Sequence, residues 1–77
     1  MRHVDRAADE LQRLYESDVT FRLEKDSTGG IRVRIGDERT GVKAEAVVKT
    51  FDEAVYWLRA HARRFFPDSE YVKDLPQ

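Results

Sequence analysis

Thr50-Phe51-Asp52-Glu53, followed by an apolar repeat that runs to Phe65, starts a helix and makes the upstream chain readable. Thr50 and Glu53 have the spacing of a capping box. The hydroxyl serves an orphan amide inside the helix and the carboxylate reaches back to the cap. Phe51, Val55, Leu58, Ala62 and Phe65 recur at three- and four-residue intervals as its central stripe. Pro67 stops it, so the helix is expected over 51–66.

Upstream, residues 19–25 alternate: Val19, Phe21 and Leu23 face one way, Thr20, Arg22 and Glu24 the other. Residues 31–35 alternate again, with Ile31, Val33 and Ile35 opposed to Arg32 and Arg34. Asp26-Ser27-Thr28-Gly29-Gly30 joins the two runs as a hairpin turn. After Gly36-Asp37-Glu38-Arg39-Thr40-Gly41, residues 42–49 form a third strand. Val42, Ala44, Ala46 and Val48 point inward, and Lys43, Glu45, Val47 and Lys49 outward. Residues 2–16 read as a first helix, with Val4, Ala7, Ala8, Leu11, Leu14 and Tyr15 on one stripe and Glu10 among the polar positions. The expected fold is α+β in the order α-β-β-β-α: a three-stranded antiparallel sheet with two helices on one face. The tail, 67–77, carries Tyr71, Val72 and Leu75; it either adds a helical turn packed on the domain or stays mobile.

The chain has 77 residues, enough for one small domain with one core. It has no cysteine, which excludes disulfides and thiolate metal sites. Charged residues make up 38%, but 14 basic and 15 acidic side chains leave a net charge of -1 and no global attraction for nucleic acid. No stretch has the length of a signal peptide or a membrane span, so a cytoplasmic location is expected.

Catalysis finds little to work with. His3 and His61 lie at unrelated places, and Ser17, Ser27 and Ser69 sit in turns or the tail without a base beside them. The pairs Asp9-Glu10 and Asp52-Glu53 are helical neighbours that do not face each other. Asp37-Glu38 lacks the ligand repeat of a calcium loop. No enzyme activity, cofactor or metal is expected.

The charge on the outer sheet face is more informative. Counting the hairpin register places Glu24 opposite Arg32 and Arg22 opposite Arg34. Extending the count puts Arg32 near Glu45 and Arg34 near Lys43. One row, Glu24-Arg32-Glu45, then pairs itself across strands. The other, Arg22-Arg34-Lys43, is like-charged and invites an acidic protein surface or phosphates. On the second helix, Tyr56, Arg59 and Arg63 share one flank and Trp57, His61 and Arg64 the other. Tyr, Trp and Arg dominate binding hot spots.

Three resemblances bear on this. The order helix-strand-strand-strand-helix over 2–66 resembles the double-stranded RNA-binding domain. That family's second helix opens with lysines, however, whereas this one opens Lys49-Thr50-Phe51-Asp52-Glu53, which disfavours its mode of RNA binding. The hairpin Glu24-Lys25-Asp26-Ser27-Thr28-Gly29-Gly30 and the later Thr50-Phe51-Asp52-Glu53-Ala54 resemble HicB-type antitoxins. In size, layout and lack of catalytic motifs the chain is similar to small phage-encoded inhibitors of bacterial defence, the anti-CRISPR type. That likeness implies a non-enzymatic protein that occludes a site on a larger host protein or ribonucleoprotein complex. Arg22, Arg32, Arg34 and Lys43 on the sheet, and Tyr56, Arg59 and Arg63 on the helix, are the expected contact residues. The alternatives are direct nucleic-acid binding by the basic sheet face and second helix, a HicB-like antitoxin fragment, or a small dimerising subunit. The sequence leaves monomer and dimer equally open.

Overall fold

The computed structural model describes residues 4–39 and 41–75, with side chains from residue 7 onward. The expected helix start at residue 2, the stripe position of the Val4 side chain, and His3 lie outside that description. The elements are α1 (Val4–Glu16), β1 (Phe21–Lys25), β2 (Ile31–Asp37), β3 (Gly41–Val48), α2 (Phe51–Phe65) and α3 (Glu70–Lys73).

The capping box forms as read. Glu53 N–H donates to Thr50 Oγ1 at 3.1 Å, and Glu53 Oε1 accepts from the Thr50 and Lys49 amides at 3.2 and 2.7 Å. Ala54, Val55, Leu58 and Ala62 are buried. Phe51 departs from its expected place on the stripe and is 57% exposed. Helical projection fixes the direction in which a side chain points, not whether anything lies beneath it at that end of the helix. Tyr15, expected on the α1 stripe, is 81% exposed for the same reason, and Ala8 is also exposed, so α1 packs through Leu11 and Leu14.

The strands order β1-β2-β3, antiparallel throughout. The first hairpin has the expected register, Glu24 opposite Arg32 and Arg22 opposite Arg34. Its turn is closed by Asp26 N–H to the Gly30 carbonyl and Gly29 N–H to the Asp26 carbonyl, both 2.9 Å, with Gly29 at φ +100°. The second hairpin does not follow the expected count. Arg34 stands opposite Glu45 and Arg32 opposite Val47, because Asp37 pairs with Gly41, one residue off the expected count, and a bulge between Ile35 and Gly36 moves the register by another. Gly36 makes the bulge feasible: it sits at φ +93°, and a Cβ there would collide with the Gly41 carbonyl oxygen. Val42, expected inward, is consequently 46% exposed, whereas Ala44, Ala46 and Val48 keep the inward side.

The core joins Leu14, Val19, Val33, Ile35, Leu58 and Ala62 to Tyr71 and Leu75 of the tail. The tail therefore packs, and α3 is the helical turn that does it. Ser69 Oγ caps α3 by accepting the Val72 amide at 3.2 Å, and Asp18 Oδ1 accepts the Glu70 amide at 3.1 Å, tying the end of the chain to the end of α1.

Candidate protein-binding surface

The helices cover one face of the sheet and leave the other open. The open face carries Arg22, Arg32, Arg34 and Lys43, each on the outward side that the alternation requires. The like-charged row expected there does not form. With Arg34 opposite Glu45, that carboxylate accepts from Arg34 at 2.9 Å and from Arg32 at 3.4 Å. Arg32 reaches on to Asp26 Oδ1 at 2.5 Å. Arg22 lies 3.8 Å from Glu24 on its own strand. Lys43 is exposed and lies over Gly36.

Asp26 anchors this ladder. Its side chain accepts the Thr28 amide at 3.0 Å and the Thr28 hydroxyl, which with Arg32 hold its carboxyl below the usual carboxylate range. Arg34 and then Arg32 lower the pKa of Glu45, and Asp26 and then Glu45 raise that of Arg32. The result is two guanidinium groups fixed in position on an open surface, with their charge nearly cancelled locally. A surface of this kind selects by geometry more than by net attraction.

On α2, Tyr56 is 74% exposed and Arg63 is exposed, but Arg59 does not share their situation. Its Nη2 lies 3.2 Å from Glu10 Oε2, and the Tyr71 hydroxyl donates to the same Glu10 oxygen at 2.5 Å. Three helices thus meet at one carboxylate, which was placed on the polar side of α1 by helical periodicity alone. Only the tail could have revealed it: Tyr71 is a phenol in an apolar set, and a buried phenol needs an acceptor. Burial first, and the Glu10 hydrogen bond second, push the Tyr71 pKa up to about 12. The Tyr71 oxygen and then Glu10 raise the pKa of Arg59, whose buried Nε–H finds no acceptor among the described residues.

The other flank of α2 stacks Trp57 on His61, ring centroids 4.0 Å apart, with His61 Nδ1 2.9 Å from the Trp57 carbonyl. His61 is thereby held by its own helix rather than aimed at a reactive hydroxyl. Among the described residues no three acidic or histidine side chains come close enough together to hold a metal, and no helix is long and apolar enough to cross a membrane. Comparison with known protein families, curated proteins and solved structures finds no match to this chain.

Proposed function

We propose that this chain is a non-enzymatic protein-binding module that docks through the open sheet face and blocks a site on a larger protein. The observation that carries this is the ladder Asp26-Arg32-Glu45-Arg34, which holds two arginines ready on a sheet face that no helix covers among the described residues. Fixing an arginine in advance removes part of the ordering cost of binding. The module is of the kind that phages and mobile elements use against host defence, a reading supported by its small size and its layout. Four cations, Arg22, Arg32, Arg34 and Lys43, share the face with the carboxylates of Glu24, Asp26 and Glu45. This near balance favours a protein partner over phosphates.

Two measurements test the reading. Anisotropy titration against labelled mixed-sequence RNA and DNA at low and moderate salt should show no binding. Affinity that falls steeply with salt would instead establish a nucleic-acid binder. Chemical cross-linking in bacterial lysate should trap a protein with the wild-type chain and lose it with Arg34→Glu. Equal capture by both would remove the sheet face from the function.

A further inference from the structure

The β3 edge carries an inference beyond the partner reading. Gly36 N–H donates to the Thr20 carbonyl at 2.8 Å and Asp26 N–H to the Gly30 carbonyl at 2.9 Å. Even-numbered β2 residues therefore direct their main chain to β1 and odd-numbered ones to β3. Ile31, Val33 and Ile35 share the β3 ladder with Val48, Ala46 and Ala44. The amides and carbonyls of Glu45 and Val47 then point out of the sheet, where no strand follows among the described residues. Over Ala44–Val48 this edge has no proline, no bulge and no inward-pointing charge to discourage pairing.

We infer that β3 pairs antiparallel with β3 of a second copy of this chain, about a two-fold axis through Ala46. In that register Glu45 of each copy exchanges main-chain hydrogen bonds with Val47 of the other, using the outward groups of both. Charge and geometry disfavour the neighbouring registers. An axis through Glu45 sets two carboxylates opposite each other. One through Val47 needs the Lys49 amide, which already donates to Glu53 Oε1 at 2.7 Å, and one through Ala44 relies on Lys43, which lies in the bulge. The same axis runs α2 antiparallel to its copy. The flank of α2 beside β3 reads Asp52, then Tyr56 and Trp57, then Ala60 and His61, then Arg64, so its acidic start meets the basic end of the second helix. Between them lies a shallow groove of about 470 Å³, walled by Val48, Tyr56, Trp57, Ala60 and His61, which the second copy closes. The pairing joins the two open faces into one six-stranded surface carrying two arginine ladders.

Sedimentation of the full chain over a concentration series should show a shift from the 9.0 kDa monomer to twice that mass. Val47→Pro removes an outward amide that the monomer does not use. It should raise the dimer dissociation constant about 30-fold, as loss of two symmetry-related hydrogen bonds implies. Asp52→Lys should weaken the dimer about tenfold by facing Arg64 with a like charge. The chain has no cysteine, so Ala46→Cys on the axis should form an intermolecular disulfide on mild oxidation and Ala44→Cys should not. A single 9.0 kDa species at every concentration up to about 1 mM overturns the inference, as does a dimer indifferent to Val47→Pro or one cross-linked by Ala44→Cys. Each outcome can be read without the partner of the open face, so the two proposals fail separately.

Discussion

The molecule contains two arginine–carboxylate networks, and they differ in what surrounds them. Glu10, Arg59 and Tyr71 meet between three helices, with Glu10 and Tyr71 buried. Arg32, Glu45 and Arg34 run part-exposed across the open face of the sheet and end on Asp26, which is buried in the first hairpin turn. The same chemistry serves opposite ends. In the first, Glu10 and the Tyr71 hydroxyl have lost most of their water and depend on each other and on the part-exposed Arg59, so removing Arg59 strands a buried carboxylate. In the second, only Asp26 is buried, where Thr28 and Arg32 satisfy it. Around Arg32, Glu45 and Arg34 water can replace a partner, so the Glu45 pairs add little to stability and leave the guanidinium groups available to another molecule.

The sharpest test of this contrast is its scale. Leu58→Ala, a fully buried side chain lost, should destabilise by about 2–5 kcal/mol in chemical denaturation and sets the upper mark. Arg59→Ala should follow at about 2 kcal/mol, short of a fully buried pair because the guanidinium is part-exposed. A change below about 0.5 kcal/mol would erase the distinction between the two networks. Tyr71→Phe should cost about 1 kcal/mol and abolish a tyrosinate absorbance phase near pH 12.

The networks also part company with pH. The folded pKa of Tyr71 lies above its unfolded value of 10.0, so its contribution is complete below pH 10 and is lost as pH rises towards 12. Asp26 and Glu45 have folded values below 3.8 and 4.5, so their contribution holds above those values and is lost as pH falls through the folded ones. Melting curves of wild type and Tyr71→Phe should converge at the alkaline end, and those of wild type and Glu45→Gln at the acid end. The smallest expected stability change belongs to Arg34→Glu, within about 1 kcal/mol. Partner binding should vanish with it, which is the combination that assigns the open face to function.

Much of the fold was legible because its signals are local. The Thr50–Glu53 box, the odd-numbered apolar positions of β1 and β2, and the glycine turn at 29–30 each act within a few residues. The β2–β3 register was not legible, because a bulge at Gly36 leaves the apolar alternation of Ala44, Ala46 and Val48 untouched while moving the pairing. That single feature turns a row of like charges at Arg34 into a bridge through Glu45. The Glu10 site was hidden for a different reason. Its partners lie 49 and 61 residues away, and nothing in the periodicity of α1 marks that position as inward. Of the expected contact residues, Arg22, Arg32, Arg34 and Lys43 do share one surface. Tyr56 and Arg63 lie exposed on α2, and Arg59 is drawn inward by that unseen carboxylate.

Two contacts between distant residues, Asp18 to Glu70 and Glu10 to Tyr71, span 52 and 61 positions of the chain. Contacts of such separation are slow to gain because a long loop must close first. The hairpins and α2 can assemble beforehand from neighbours alone, so docking of α3 belongs to the far side of the folding barrier. Weakening it should leave the refolding rate nearly unchanged and quicken unfolding, making the short C-terminal turn the latch that sets how long the native state survives.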